Sequence, residues 1–407
     1  MVQHALNFTK LGLPQRRLPV LITNLLVTII VSLASSQSAF AQVPLKIGAT
    51  LAISGKLAFI GEEARRGLEL AVEELNSTRN PQTPIVQLLV EDNRGEAKDA
   101  VLAVQKLLST DSVDVIFSAF THITEAIAPI VGQSDALMIY AATVRSVAAR
   151  NSRFFRDYVD AADSAEAMAD SIALSGQREI TYFGEIGEAC TNYFTALESQ
   201  LERHAVKIVV KEEFLPTESD FKPQLLKLRA KNPKGIALCA WRQTQLIAQQ
   251  LTQLGMSDIR TYHWLAPFLP AGDTPEIRSI LEKNGAVTTW YGWIEPSENP
   301  SASEFFNLYR SKFGSDPRPD AAYAYDIVRI LVEAHQSCAR ATLKTDHLCL
   351  AKFLGEIKHQ GAGGMLHFDG QRASQRPVLV MKVVDGRWTD ASHSVVERGE
   401  SASQKNK

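Results

Sequence analysis

From residue 45 onward the chain repeats one pattern: a short apolar run, a loop of small and polar residues, then a longer segment with helical periodicity. Residues 45–51, LKIGATL, form the first apolar run and predict a strand. In 62–75, Ala64, Leu68, Ala71, Val72 and Leu75 fall on one helical face, with Glu63, Arg65, Arg66, Glu69, Glu73 and Glu74 mainly on the other. The same alternation predicts strands at 85–91, 113–117 and 137–141 and helices at 96–109 and 124–134. Short, nearly continuous apolar strands separated by helices imply a parallel sheet covered on both faces, an α/β fold.

A second run of the same kind starts after 154–159. It predicts helices at 162–175, 191–204, 221–230 and 243–254 and strands at 180–183, 206–214, 235–240 and 260–265. Pro223 is tolerable only in the first turn of its helix. Two similar α/β units in series predict two doubly wound lobes with a cleft between them. The remainder reads as a connecting strand at 286–293, helices at 303–313 and 321–338, and strands at 365–369 and 378–384 that return to complete the lobes. The expected division is 43–160 with 291–360 for the first lobe and 161–290 with 361–389 for the second. The hinge crossings are expected around 154–159, 286–293 and 364–368, and the polar stretch 390–407 is expected to be disordered.

The first 41 residues stand apart from this pattern. Lys10, Arg16 and Arg17 make a basic leader without acids, 18–33 is apolar, and Ala39-Phe40-Ala41 has the small-x-small form of a cleavage site. The expectation is an export signal cleaved after Ala41 and a periplasmic protein; the alternative is an uncleaved anchor, against which the polar breaks in the apolar core argue. Removing 41 residues from 407 leaves 366, more than one compact core holds. It also leaves 40 basic residues against 45 acidic ones, net −5, which argues against nucleic acid or anionic membranes as partners. In an exported chain, Cys338 and Cys349 are spaced for a local disulfide. Cys190 and Cys239 are open between a bridge and buried thiols.

Enzyme templates fit poorly. The chain has no P-loop, no G-x-S-x-G and no H-E-x-x-H, and its histidines do not pair at zinc spacings, so no metal and no cofactor are expected. A thiol–imidazole pair drawn from Cys190, Cys239 and His263 would make an exported hydrolase, although nothing local activates either thiol. The loops at predicted strand ends carry more. Ser54-Gly55, Thr121 to Thr124 and Ala141-Ala142-Thr143 offer hydroxyls and helix-start N–H groups to a carboxylate, or else simply cap helices. In the second lobe such loops bring Cys190, Trp241, Arg242 and Pro267, while Trp264 reads as a core strand residue.

These residues resemble the periplasmic leucine/isoleucine/valine-binding protein family, over 43 to about 388. Ile47-Gly48 with Ser54-Gly55, Ala58, Gly61 and Gly67 is similar to the family's opening strand–loop–helix. Leu89 to Asn93, Ala128-Pro129-Ile130 and Ala141-Ala142-Thr143 resemble its next signatures. Ser219-Asp220-Phe221 with Leu228 and Asn232-Pro233, then Tyr325-Asp326 and Phe368-Asp369-Gly370, follow in order. The resemblance implies a type I periplasmic-binding-protein fold with two lobes and a three-strand hinge, and a non-enzymatic solute-binding protein of an ABC transporter. Such a protein closes on a small ligand and delivers it to a membrane permease; a monomer is expected. The same fold also serves as a ligand-sensing module for a receptor or regulator.

The resemblance further implies carboxylate binding by Thr121 or His122, Ala141 and Thr143, with Ala142 alongside and Ile60 where the family often has an aromatic. The family's Tyr-Gly appears as Ala189-Cys190, and a tyrosine appears as Trp241. Its acid for an α-amino group falls near Ala266-Pro267, where none is present. A buried ammonium needs an acceptor. Glu185, Glu188 or Asp273 could take that place; otherwise the ligand lacks an amine and Arg242 suits an acceptor group. Amino acids, aromatic or aliphatic carboxylates and amides are all expected ligand classes.

Overall fold

A computed structural model describes residues 44–391 except 56, 79–82, 241–242, 265–273, 292–298, 339–344, 375 and 377. The expected leader and the tail after 391 lie outside the described residues. The first part of the chain runs β1 (Leu45–Leu51), α1 (Ala58–Ser77), β2 (Val86–Asp92), α2 (Ala97–Ser109), β3 (Val115–Ala119), α3 (Thr121–Gly132), β4 (Leu137–Ala141), α4 (Ser146–Ala149) and β5 (Phe154–Arg156). The second runs α5 (Ala161–Leu174), β6 (Glu179–Glu185), α6 (Glu188–Arg203), β7 (Lys207–Phe214), α7 (Lys222–Arg229), β8 (Gly235–Cys239), α8 (Thr244–Gln253), β9 (Arg260–Trp264), α9 (Pro275–Lys283) and β10 (Val287–Tyr291). Then come α10 (Pro300–Phe313), α11 (Pro319–Cys338), α12 (His347–Glu356), the hairpin β11 (Lys358–Gly361) and β12 (Gly364–His367), and finally β13 (Val378–Val384) and β14 (Arg387–Asp390).

The first lobe holds a parallel sheet in the order β2-β1-β3-β4-β5. Successive side chains of a strand go to opposite faces. Leu45, Ile47, Ala49 and Leu51 therefore enter one core with α1, α10, α11 and α12, while Ile116, Met138 and Tyr140 enter another with α2, α3 and α4. Two helical glycines set how closely this first layer packs. A Cβ on Gly61 would lie 2.0 Å from the Ala52 carbonyl oxygen, and one on Gly67 would lie 2.0 Å from that of Ala321. The glycines let α1 settle on the end of β1 and against α11.

The second lobe repeats the winding. β7-β6-β8-β9-β10 are parallel, and β13 and β14 add antiparallel strands at the β10 edge. Helices α5 and α6 cover one face through Met168, Leu197 and Leu201; α7 and α8 cover the other through Leu225, Leu228 and Ile247. Trp264 is buried on β9 and stacks on Tyr193 with ring centroids 4.6 Å apart.

Three expectations change. The strand at 286–293 is a full member of the second sheet, because β10 pairs with both β9 and β13. The 364–368 crossing is instead one arm of the β11–β12 hairpin, whose Leu366 and Phe368 lie in the first lobe's core. The chain crosses later, where Ala373 bridges Arg156 and the Ser374 N–H donates to the Arg156 carbonyl at 2.7 Å. The first lobe thus keeps residues 361–372, a dozen more than the expected boundary allowed. Helices α9 and α12 were not anticipated. Both are short and begin at side-chain caps: Thr274 accepts from the Ile277 N–H, and Asp346 from those of Leu348 and Cys349.

Candidate ligand-binding cleft

In each sheet the strand order reverses direction between the first and third strands in sequence, and open α/β sheets bind ligands outside the carboxyl ends of strands at such points. A cavity of about 210 Å³ lies there. An apolar cavity of about 150 Å³ admits a benzene ring, so this one suits a ligand of amino-acid or small aromatic-acid size.

The first lobe's wall is built on strand ends. Thr121 starts α3, and Thr143 follows β4; their hydroxyl oxygens are 3.1 Å apart and both residues line the cavity. The first N–H groups of a helix have no intrahelical partner and carry partial positive charge, so this corner favours an anionic oxygen. Phe120 reaches it at φ 71°, a left-handed conformation costly for a side chain of that bulk. Its N–H donates to the Ala141 carbonyl at 3.1 Å, which ties the two loops together. Beneath, buried Arg156 donates to the Ala142 carbonyl at 2.8 Å and to the Val159 carbonyl at 2.7 Å. The Tyr140 hydroxyl donates to the Val144 carbonyl and accepts from the Ala148 N–H, both at 2.9 Å. Burial pushes that phenol up to about 12, so it stays neutral.

Of the expected contacts, Ile60, Thr121, His122, Ala141, Ala142 and Thr143 line the cavity. Thr121 and His122 are placed differently: the Thr121 hydroxyl faces Thr143, whereas His122 Nε2 lies 3.0 Å from the Gly95 carbonyl oxygen. Two expected contacts are elsewhere. Ser54 does not line the cavity. Its hydroxyl donates to Asp92 at 2.5 Å, and the Ile53, Ser54 and Arg94 N–H groups donate to the same carboxylate. Partial burial would raise Asp92, but these hydrogen bonds outweigh it and hold the carboxyl below its usual range. Cys190 is buried and bonded to Cys239, with Cα atoms 5.7 Å apart, and its neighbour Ala189 lines the cavity instead. Trp241, Arg242, Pro267 and Asp273 lie outside the described residues.

The hydrolase reading also loses its parts. Neither Cys190 nor Cys239 is a thiol, and His263 is buried beside Thr261, 2.8 Å from its hydroxyl, where burial pushes its imidazole down to about 3. The second disulfide joins Cys338 to Cys349 at the end of α11. Among the described residues no group of three or more His, Cys, Asp or Glu side chains could hold a metal.

Several wall residues were not anticipated: Phe59, Phe120, Asp157, Tyr158, Asp320 and Tyr323. Asp157 and Tyr158 sit in the first crossing, and Asp320 and Tyr323 in the first turn and a half of α11, so proximity to a crossing was the available signal. Asp157 is held by Arg376 of the later crossing through two hydrogen bonds of 2.9 Å. Arg376 is buried, lies 4.1 Å from the Tyr323 ring centroid, and reaches the Gly363 carbonyl at 3.1 Å and Asp326 at 3.4 Å. Burial is the largest single influence and would lower its guanidinium, but Asp157, Tyr323 and Asp326 together outweigh it and hold it above its ordinary value. Burial pushes Asp326 up to about 6 against Arg376 and the Gly363 and Ala362 N–H groups, which favour its ionised form.

Two sheets wound alike, joined by crossings that pass beside a cavity walled by aromatic and aliphatic side chains with a few convergent polar groups, define a two-lobed ligand-capturing protein. A family profile described as periplasmic binding protein matches residues 44–387. A leucine/isoleucine/valine-binding protein homolog from Brucella suis is 26% identical over 310 residues, covering 71% of this chain and 75% of that protein. A leucine-binding protein from Thermotoga maritima superposes with a TM-score of 0.73 at 22% identity, over 85% of this chain and 97% of its own. A branched-chain amino acid transporter substrate-binding protein from Streptococcus pneumoniae, solved with isoleucine, gives 0.72 at 19%, over 85% and 97%. An ABC transporter solute-binding protein from Rhodopseudomonas palustris, solved with 3,4-dihydroxybenzoic acid, gives 0.71 at 19%, over 86% and 98%. The chain belongs to the periplasmic binding protein family.

Proposed function

We propose that this chain is the exported, periplasmic solute-binding component of an ABC transporter. It captures an amino acid or a related small carboxylate or amide between its lobes and delivers it to a membrane permease. It acts as a monomer and performs no covalent chemistry. The observation that carries this reading is the Thr121–Thr143 hydroxyl pair at the start of α3, facing a cavity to which both lobes contribute. Ala141 and Ala142 complete that corner and Ile60 supplies apolar wall; Trp241, Arg242 and Pro267 are proposed as further contacts from their place in the sequence alone. Closure is a hinge motion about the crossings, favoured by contacts that both lobes make with ligand only when shut.

Two relatives support the ligand class, one holding isoleucine and one a dihydroxybenzoate. Their common feature is a carboxylate, which the Thr121–Thr143 corner suits. A melting assay with branched-chain and aromatic amino acids, benzoates, short aliphatic acids and amides tests the proposal. A true ligand at 100 times its Kd should add about 2.7 kcal/mol of apparent stability. A panel in which none of these compounds raises the melting temperature would overturn it.

A further inference from the structure

The first lobe's strand-end loops are knotted together by two residues that do not themselves line the cavity, Asp92 at the end of β2 and Asn93 directly after it. One oxygen of Asp92 accepts from the N–H groups of Ile53 at 3.1 Å, Ser54 at 3.3 Å and Arg94 at 2.8 Å, and the other accepts from the Ser54 hydroxyl. Arg94 is left-handed at φ 54°, a conformation that costs an ordinary side chain energy and that this hydrogen bond offsets. The Arg94 guanidinium turns to Asp99 at 2.6 Å, so its backbone and not its charge serves Asp92. Buried Asn93 accepts from the Gly95 N–H at 2.9 Å and donates to the Thr50 hydroxyl of β1 at 3.0 Å. Gly95 then meets two residues of the wall. Its carbonyl lies 3.0 Å from His122 Nε2, and a carbonyl only accepts, so Nε2 donates. A Cβ on Gly95 would lie 3.1 Å from a Leu57 methyl carbon, so Leu57 rests directly on this loop. Leu57 and His122 both line the cavity.

Resting on the reading of this cavity as a small-ligand site, we propose that Asp92 is a positioning residue for ligand binding: it touches no ligand, and it fixes the loop on which Leu57 and His122 are seated. The line of contact is continuous. Asp92 holds the backbone of Arg94, Arg94 leads into Gly95, and Gly95 sets the Leu57 side chain and the His122 imidazole. His122 directly follows Thr121, so the same contact steadies the start of α3 beside the threonine corner. A carboxylate suits this task because its two oxygens offer about four lone-pair sites, enough to take donors from two loops at once. Asparagine keeps one such oxygen, and its amide can donate to the Ser54 hydroxyl; alanine keeps neither. Ser54→Ala removes one donor of the four and leaves the three backbone donors in place, so Ser54 by itself matters little to the wall. Asp92 is exposed and lies outside both cores of its lobe, so Asp92→Ala should fold.

Hydrogen exchange of the ligand-free full chain, and calorimetry with L-isoleucine and 3,4-dihydroxybenzoate, test this for wild type, Asp92→Ala and Asp92→Asn. Asp92→Ala should speed exchange about tenfold or more across 53–55, 93–96 and 120–124 while leaving β4 and the second lobe unchanged, a pattern that general destabilisation would not give. At least one probe should bind Asp92→Ala about fivefold or more weaker than wild type. Asp92→Asn should recover most of both effects, because it restores the acceptor of the three backbone donors. Exchange that stays confined to 53–55 and 93–96, affinity for both probes within about twofold of wild type, or an Asn variant as weak as the Ala variant would each overturn the inference while leaving the binding function intact. If neither probe binds wild type, this inference fails; if the wider panel of carboxylates and amides is silent as well, the binding function fails with it.

Discussion

Replacing Arg376 by Met should unlock the junction of the two lobes. The side chain is buried, donates twice to Asp157, reaches Asp326 and covers the Tyr323 ring. Methionine fills much of the volume but leaves two buried carboxylates without their cation. Breaking a buried pair from one side costs about 3–5 kcal/mol. The cost should depend on pH, and the sign follows from Asp326. Its folded value, about 6, lies above the ordinary 3.8, so the protonated form stabilises the fold fully below 3.8 and that contribution is lost as pH rises through 6. A shift of this size corresponds to about 3 kcal/mol. Without Arg376 the carboxyl should protonate still more readily in the folded state, so the variant's deficit should grow from pH 5 to pH 8. Urea unfolding at both pH values, with the wild type alongside, measures it. Arg376→Lys, which keeps the charge but not the two-pronged geometry, should fall between. A Met variant within about 1 kcal/mol of wild type at pH 8, or a deficit equal at both pH values, would refute the argument.

Other outcomes follow from the same geometry. Thr143→Ala should weaken binding of a carboxylate ligand by about 1–3 kcal/mol in calorimetry, because one acceptor of the charged group loses its partner. Ser54→Ala should leave affinity within about twofold, since Ser54 serves Asp92 and not the cavity; it should also lessen the stability lost as pH falls below about 3.9, because Asp92 would no longer be held so low. Gly67→Val should cost at least about 2 kcal/mol in thermal or urea unfolding, since its Cβ has no space against the Ala321 carbonyl. Removing the Cys190–Cys239 bridge with paired serines should cost about 2–4 kcal/mol of stability.

The inner strands were legible because both of their faces are buried, so apolar runs such as 45–51 and 137–141 mark them, whereas β11 and β14, with exposed side chains, were not anticipated. The threonine corner was legible for a related reason: hydroxyls directly after such runs must lie at strand ends. Helix α9 escaped because only Ile277 and Leu281 are buried along it, too few positions to show a period. Ser54 and Cys190 misled because both sit in the right loops but point their chemistry at protein partners, Asp92 and Cys239. Loop position alone does not say which way a side chain turns.

What the chain's order of residues determined by itself was the class of fold and the place of the cleft. Periodicity, strand-end hydroxyls and the glycines of α1 are local signals, each readable within a few turns of chain. What only the tertiary structure decided was which of the described polar groups line the cleft and the construction of the hinge. Arg376 and Asp157 are 219 residues apart in sequence, and Asp326 lies 50 from Arg376. They meet only because two crossings run side by side beneath the cavity. Burial then gives that meeting its energetic weight, since in water the same three charges would be screened and worth little. Glu185 follows the same rule: in the sequence it was one of three acids that could face an ammonium, and the fold set it in the cavity wall while leaving Glu188 outside.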